Sequence, residues 1–391
     1  MFRRALSTVI EERLKEERRF IQIVMGPRQT GKTTAVKQAL DAAGIPYVSF
    51  DAGAVRAEPL ARIRIEWQQA RDLARREGAA VFFLDEAQKA ANWSEVVKAL
   101  WDEDSWNEVP LSVVVSGSSS LLLRKGMSES LKGRFEVLRS TQWTFSEMHD
   151  AFGFSLDDFL LYGGYPGAAT LAGDVDRWLS YLLDSIIEST ISNDILQLEN
   201  VRKPALLRRI FEMGSYYCGQ EFSYRKILGQ LDDKGNTDTI AHYLGLLDGA
   251  GMLCGLQKYY GKEFQSRRSS PRFMVYDTAL MTAAWRDQVG ILLSDSALRG
   301  RLVESAVGAY LLNRAAAERF ELRWWREGDD EVDFVLRRGE SLTAIEVKSG
   351  RVKGLDGLGA FLSRFPHARP LVIGDVANPL ESFLRGEVDL F

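Results

Sequence analysis

The sequence predicts an α/β fold with a parallel sheet near its start, a helical middle region and a second α/β region. Two observations lead to this prediction: short apolar runs alternate with helically periodic stretches over residues 20–140, and a mixture of helix and strand patterns returns over residues 300–375. Strands that alternate with helices pair in parallel, because each helix carries the chain back across the sheet. The first region has predicted strands at 20–25, 46–50, 80–84, 111–116 and 135–139, and predicted helices at 31–43, 58–77 and 92–103.

The later regions are predicted from their own patterns. Residues 177–198 carry apolar residues at helical spacing, and residues 204–276 indicate a small helical module that ends in short strands. A helix at 301–315 and strands at 321–326, 331–337, 342–347 and 370–374 follow. We therefore expect four parts, with boundaries at 1–145, 146–200, 201–280 and 281–391.

Composition limits the classes of protein that this chain can represent. Its 391 residues are 46% hydrophobic and 27% charged, which is typical of a globular protein with more than one core. The net charge of -4 argues against a globally basic nucleic-acid-binding surface, although local patches are not excluded. Only two cysteines, no long apolar run and a charged N-terminal helix predict a cytoplasmic protein without disulfides, membrane spans or a signal peptide.

A phosphate-binding loop is predicted where the first strand meets the first helix of the sheet. The loop fits the pattern G-x-x-x-x-G-K-[ST], and its backbone N–H groups would cradle phosphates. Lys32 is expected to reach the β- and γ-phosphates, and the Thr33 hydroxyl to ligate Mg²⁺. The alternative is a glycine-rich turn that carries a lysine by chance. The loop comprises Gly26, Pro27, Arg28, Gln29, Thr30, Gly31, Lys32, Thr33 and Thr34.

Two acidic residues end the buried strand 81–84 and predict the second half of a nucleotide site. Asp85 is expected to hold Mg²⁺, and Glu86 to polarise the attacking water. Such residues belong at the carboxyl ends of parallel strands, where ligands bind. An ordinary acidic turn is the alternative interpretation.

Two further polar segments are candidates for contact with the γ-phosphate. Ser118, or Ser116 close by, follows another buried strand, although a serine there can equally cap a helix. Arg134 supplies a guanidinium that suits a γ-phosphate or the active site of a neighbouring subunit, and a surface arginine in a turn is the alternative.

These motifs resemble, in type and order, those of the AAA+/STAND-type P-loop ATPases of archaea and bacteria. The matching segments are Gly26–Thr33, Leu84–Lys89, Ser116–Ser119 and Leu131–Arg134, and the stretch Gly163–Pro166 also fits. The resemblance implies ATP and Mg²⁺ as cofactors, Ser118 as a sensor, Arg134 as an arginine finger and residues 146–200 as a helical lid. It also implies a homo-oligomer if Arg134 acts on a neighbouring subunit.

The last region contains a second candidate site. Asp333 interrupts an apolar strand, and Glu346 and Lys348 share one face of the next strand. Asp333 and Glu346 would hold Mg²⁺ for phosphodiester hydrolysis, Lys348 would stabilise charge, and Glu304 could add a ligand from the preceding helix. A structural pair between Lys348 and one of these carboxylates is the alternative.

The order of this second set resembles the PD-(D/E)-x-K nuclease superfamily, which implies a restriction-endonuclease-like α/β domain. The usual proline before the aspartate is absent, since Val332 stands there. Of the neighbouring Trp324 and Trp325, we expect at least one to lie in the core.

The middle module resembles a winged helix, with residues 222–228 and 236–244 as its second and third helices. Residues 201–275 hold twelve Lys and Arg against seven Asp and Glu, and the cluster of Arg267, Arg268 and Arg272 lies in a predicted wing. This charge suggests DNA as a partner, although winged helices also serve as dimerisation or lid modules.

Three functions follow from these patterns. The first is an ATP-dependent enzyme that binds or cuts DNA with a metal-dependent nuclease domain. The second is a STAND-like nucleotide switch that acts through protein interaction and has a non-cleaving nuclease-like domain. The third and weakest is a plain ATPase whose later regions are structural.

Overall fold

A computed structural model describes residues 2–54, 57–117, 130–196, 201–221, 223, 227, 229, 236–261, 270–350 and 354–391. The chain forms two compact units, Met1–Thr141 and Gln142–Phe391. The boundary between them lies close to the predicted boundary at residue 145. The other predicted boundaries fall inside the second unit and stay predictions.

The first unit is a five-stranded parallel sheet with helices on both faces. Its strands are β1 (Ile21–Met25), β2 (Tyr47–Asp51), β3 (Ala80–Asp85), β4 (Leu111–Gly117) and β5 (Phe135–Arg139). Its helices are α1 (Ala5–Lys15), α2 (Lys32–Ala43), α3 (Pro59–Glu77) and α4 (Trp93–Trp106). The strand order is β2-β3-β4-β1-β5. All five predicted strands and three predicted helices of this region are confirmed.

Burial explains why these runs become strands. β1, β3 and β4 lie at the centre of the sheet and are buried on both faces, as their near-continuous apolar sequences require. One apolar cluster packs around Trp67 of α3 and Val97 of α4, and the other around Ile10 of α1 and Val36 of α2. Because β3, β4 and β1 are neighbours, the loops at their carboxyl ends meet at one edge of the sheet.

The second unit begins with helices. They are α5 (Phe145–Phe152), α6 (Leu156–Tyr162), α7 (Pro166–Ala169), α8 (Val175–Tyr181), α9 (Pro204–Tyr216), α10 (Thr237–Gly249) and α11 (Thr278–Ala284). The segments Leu182–Glu188 and Thr190–Leu196 are π-helical, so the predicted helix at 177–198 continues with a wider turn. β6 (Leu253–Leu256) and β7 (Arg272–Val275) form an antiparallel pair after α10.

A second sheet ends the chain. Its order is β11-β10-β9-β8, with antiparallel pairs β8–β9 and β9–β10 and a parallel pair β10–β11. The strands are β8 (Glu321–Glu327), β9 (Asp330–Arg338), β10 (Ser341–Val347) and β11 (Arg369–Ile373), and the helices are α12 (Ser296–Glu318), α13 (Asp356–Arg364) and α14 (Leu380–Leu384). The helix and four strands predicted for this region are confirmed.

Both tryptophans of β8 are core residues. Trp324 is fully buried and Trp325 is 3% exposed, which confirms the prediction that at least one would be buried.

None of the helices in the described part of the chain is long and apolar enough to cross a membrane.

Candidate nucleotide site and a second acidic centre

The loop after β1 has the geometry of a phosphate cradle. Gly31 adopts a left-handed conformation (φ 82°) and precedes α2, so the backbone N–H groups at the start of this helix face the loop. Lys32 is buried, and its Nζ donates to the carbonyl oxygens of Gly26 at 3.1 Å and Pro27 at 2.5 Å. A Cβ at residue 26 would lie 1.9 Å from the Ser140 carbonyl oxygen, so only glycine fits there.

Asp85 faces this loop from the end of β3. Its Oδ2 accepts a hydrogen bond from Thr33 Oγ1 at 2.7 Å, and its Oδ1 accepts from Ser116 Oγ and from the Glu86 backbone N–H. Carboxylate and hydroxyl oxygens are the ligands that Mg²⁺ prefers. The Thr33 and Asp85 oxygens therefore fit a Mg²⁺ ion at the mouth of the loop.

Glu86 lies next to Asp85 with a left-handed backbone (φ 48°). Burial raises the pKa of its carboxyl, and nearby Asp51 raises it further, while Lys89 and Arg28 oppose the shift. A raised pKa brings a carboxylate closer to the range in which it accepts a proton from water effectively.

Gly53 is a residue near Glu86 that sequence analysis missed. A Cβ at position 53 would lie 2.7 Å from Glu86 Oε2, and the Gly53 N–H donates to Asp51 Oδ1 at 2.7 Å. The register of β2 against β3 places Asp51 beside Asp85. Asp51, as an acidic residue at the end of β2, is the sequence signal that could have indicated that this segment belongs to the site.

The chain just before α1 supports the phosphate-binding loop. Arg4 is buried, and its Nη1 donates to the Thr30 carbonyl oxygen at 2.9 Å and the Thr141 carbonyl oxygen at 3.3 Å. Thr30 Oγ1 lies 2.9 Å from Ser140 Oγ. No sequence pattern linked Arg4 to the loop, because these contacts span 26 to 137 residues.

Arg134 lies at the opposite edge of the sheet from the phosphate-binding loop. Its carbonyl oxygen accepts from the Ile21 N–H at the start of β1, whereas the loop follows Met25 at the end of that strand. At ~3.3 Å per residue, this separation is more than an arginine side chain can span. Arg134 instead donates to Asp102 at 2.6 and 3.1 Å, so it does not reach the loop of its own subunit.

Ser118, the first candidate for a γ-phosphate sensor, lies outside the described residues. Ser116, the second candidate, is buried at the end of β4 and bonds to Asp85. The structure therefore brings together Lys32, Thr33, Asp85, Glu86 and Ser116 at one edge of the sheet.

The second candidate site contains a cation that the sequence analysis had placed elsewhere. The sequence predicts Arg272 in a wing whose charge would contact DNA phosphates, but its side chain is only 4% exposed. Its Nη1 lies 3.1 Å from Glu304 Oε1 and 3.6 Å from Asp333 Oδ1, and its Nη2 contacts Glu331. The prediction that Arg272 makes an exposed phosphate contact was wrong, because partly buried carboxylates hold it inside the unit. Arg267 and Arg268 lie outside the described residues.

Glu346 and Lys348 complete the acidic centre. Lys348 Nζ lies 2.7 Å from Glu346 Oε1, and Asp333 Oδ2 accepts from the Val347 N–H at 2.8 Å. Burial raises the pKa of Glu304, Asp333 and Glu346. In the described part of the chain, no group of three or more His, Cys, Asp or Glu is arranged to hold a metal ion. The predicted metal ligands Glu304 and Asp333 therefore contact the Arg272 guanidinium, and Glu346 pairs with Lys348, so the three do not fit a metal in this arrangement.

The predicted recognition helix is present, but its charge does not suit DNA. α10 contains no Lys or Arg, and its exposed residues include Asp238 and Asp248. Much of the predicted helix before it, including Phe222 and residues 224–226, lies outside the described residues. The winged helix stays a prediction.

Protein-family models match three successive parts of the chain. A model described as an AAA domain matches residues 18–149. Two models described as domains of unknown function, DUF8612 and DUF4143, match residues 153–290 and 299–382. Together with the parallel sheet and the loop after β1, the first match identifies an AAA-type P-loop ATPase fold in the first unit.

Curated relatives match about two thirds of the chain. The Uncharacterized protein Rv2008c of Mycobacterium tuberculosis is 29% identical over 262 residues, which cover 67% of this chain and 55% of the relative. The Uncharacterized protein MJ1544 of Methanocaldococcus jannaschii is 24% identical over 284 residues, which cover 68% and 60%. The chain thus spans little more than half the length of the curated relatives it matches.

Among solved structures, the RuvB Holliday junction branch migration motor of Thermotoga maritima matches with 20% identity and a TM-score of 0.35. The match covers 64% of this chain and 87% of the RuvB chain. A second structure, of a point variant of the same RuvB, gives a TM-score of 0.34 at the same identity and coverage.

Proposed function

We propose that this protein binds ATP with Mg²⁺ at the loop after β1 and hydrolyses it. The observation that supports this most directly is the meeting of Thr33 and Asp85, 2.7 Å apart, beside the buried Lys32. Lys32 would bind the β- and γ-phosphates, and Thr33 and Asp85 would hold the metal, which neutralises the charge on the phosphates. Glu86 would accept a proton from the attacking water.

Paired substitutions in the site test this proposal. Lys32→Ala is expected to abolish ATP binding, because the phosphates lose their charged partner. Glu86→Gln is expected to keep ATP binding and slow hydrolysis by about 100-fold or more, since only proton transfer is lost. Fluorescent-nucleotide titration measures binding, and phosphate release measures hydrolysis.

Two exposed residues of the first unit provide matched controls. Lys37→Ala in α2 and Glu95→Gln in α4 repeat the chemical changes away from the loop and should leave both readings unchanged. Hydrolysis by Lys32→Ala at the parent rate would place the nucleotide elsewhere in the protein.

For the second unit, we favour a switch that responds to nucleotide and acts through protein interaction. Two observations support this choice over metal-dependent cleavage of DNA. Arg272 stands among the carboxylates that a cleaving site would need for metal, and α10 presents aspartates and no cation. Metal-dependent cleavage is therefore not part of the proposal.

DNA binding is the second candidate function, and the surplus of five positive charges over residues 201–275 supports it. Labelled duplex, forked and single-stranded DNA, incubated with the protein and with or without ATP, tests it by gel shift. ATP-dependent binding that weakens steeply with salt would support DNA as a partner. Absence of binding to all three substrates at low salt would exclude it.

A further inference from the structure

The cation at the acidic centre of the second unit comes from the chain itself. Arg272 begins β7, and its guanidinium lies between Glu304 of α12 and Glu331 and Asp333 of β9. We infer that Arg272 is the resident cation of this centre and that it keeps divalent metal ions out. This inference goes beyond the proposed ATPase and does not depend on it.

The position of the guanidinium explains the exclusion. A divalent ion needs several oxygen atoms at about 2.0–2.6 Å around one point. Arg272 Nη1 occupies the space between Glu304 Oε1 and Asp333 Oδ1, at 3.1 and 3.6 Å from them. A metal ion bound to both oxygens would lie close to this nitrogen and would be repelled by its positive charge.

Other contacts hold the guanidinium in place. Its Nη1 lies 3.4 Å from the carbonyl oxygen of Asp333, and its central carbon lies 5.0 Å from the centre of the Trp324 ring. Arginine suits the role of a resident cation because its planar guanidinium can donate hydrogen bonds to several carboxylates at once. It also stays charged when it is buried.

Each of the four carboxylates at this centre has a cation from the chain. Arg272 forms ion pairs with Glu304, Glu331 and Asp333. Lys348 pairs with Glu346, with 2.7 Å between Nζ and Oε1. Buried carboxylates are unfavourable without such compensation. Arg272 and Lys348 therefore offset two of the four negative charges without a metal, and Arg272 also ties the β6–β7 pair to the sheet that carries β9.

The acidic centre is open to solvent on one side, so a lack of access would not keep a metal ion away from it. A cavity of about 520 Å³ borders the centre, and its lining includes Arg272, Glu331 and Arg326. Ions can reach Glu331 through this cavity, so on this side the guanidinium is what separates them from Glu304 and Asp333. Removing the guanidinium should then convert the centre into a metal site.

Binding of Mn²⁺ to the full chain tests this inference. The parent for the experiment carries Lys32→Ala and Asp85→Asn, which weaken metal binding at the nucleotide site. Electron paramagnetic resonance counts bound Mn²⁺. We expect no site at the acidic centre of the parent and one Mn²⁺ per chain after Arg272→Ala. Adding Asp333→Asn should remove the gained ion, and Arg272→Lys, which keeps a positive charge, should not gain one.

Two results would overturn the inference. The first is one Mn²⁺ bound to the parent and lost on Asp333→Asn, because the guanidinium would then coexist with a metal. The second is a folded Arg272→Ala variant that gains no ion. If circular dichroism shows that Arg272→Ala does not fold, Arg272→Gln, which removes the charge and keeps most of the side-chain length, takes its place in the same Mn²⁺ counts. A failure of the ATPase proposal would appear in hydrolysis and leave these counts unchanged.

Discussion

At the scale of single residues, the nucleotide site depends on neighbours that have no reactive group. Gly53 has no side chain, which leaves room for the Glu86 carboxylate. Arg4 contributes hydrogen bonds to the Thr30 and Thr141 carbonyl oxygens that fix the base of the loop. Both act as positioning residues in the proposed site.

Gly53→Ala should slow ATP hydrolysis without weakening ATP binding. The added Cβ would lie 2.7 Å from Glu86 Oε2, so the flexible carboxylate moves while the backbone stays. A displacement of this size costs roughly 10- to 100-fold in kcat, because the general base leaves its reacting position. Steady-state phosphate release gives kcat, and nucleotide titration gives Kd.

Gly173→Ala is the control for this glycine, because nothing lies within 4 Å of a Cβ built there. It should leave kcat and Kd unchanged. A Gly53→Ala protein that keeps the parent kcat would show that Glu86 does not need its present position.

At the scale of elements, Asp277 joins α11 to the turn after α6. Its Oδ2 accepts from the Gly164 N–H at 2.8 Å, and its Oδ1 accepts from the Ala279 N–H at 2.9 Å. A Cβ at residue 163 would lie 1.8 Å from Asp277 Oδ1, so the Gly-Gly pair of Gly163–Pro166 is required by this close approach. The motif has a structural role here.

This buried carboxyl should make stability depend on pH. Burial raises the pKa of Asp277 from 3.8 to about 7. The folded state therefore keeps a proton that the unfolded chain releases, and the contribution to stability is full below pH 3.8 and is lost as pH rises through about 7. We expect the free energy of unfolding of the parent, minus that of Asp277→Asn, to fall over this window.

Urea unfolding at a series of pH values measures this difference. Asp295→Asn is the matched control, since Asp295 caps α12 in a similar way but is exposed. A difference that stays constant or rises from pH 4 to pH 7 would contradict the assignment of a raised pKa to Asp277.

At the scale of the whole molecule, the position of Arg134 limits how it could take part in ATP hydrolysis. Arg134 lies at the edge of the sheet away from its own phosphate-binding loop. If it stabilises a γ-phosphate, it must act on a neighbouring subunit. Arg134→Ala and Lys32→Ala proteins should then each be inactive alone and regain part of the ATPase activity when mixed.

Mixing restores activity only if one subunit supplies Lys32 and its neighbour supplies Arg134. Phosphate release against mixing ratio measures the effect, and mixing Lys32→Ala with Glu86→Gln is the control, because both changes lie in the same site. A mixture that shows no gain, although light scattering detects mixed oligomers, would exclude Arg134 as a shared residue.

Much of the fold could be predicted because its signals are local. β1, β3 and β4 are continuous apolar runs, and residues 26–34 and Asp85 follow their strands directly. Parallel strands then bring these residues to one edge without further information. At least one of Trp324 and Trp325 was likewise expected in the core on hydrophobicity alone.

The tertiary structure alone decided the roles of Arg272, Arg4 and Gly53. Arg272 meets Glu304 and Asp333 across 32 and 61 residues, and Arg4 meets Ser140 across 136. The sequence determined that a basic residue stands at position 272 and that carboxylates occupy strands β9 and β10. Packing between distant elements decides which of these residues meet. It also brings a guanidinium to the place that was predicted for a metal, and no local sequence pattern encodes this packing.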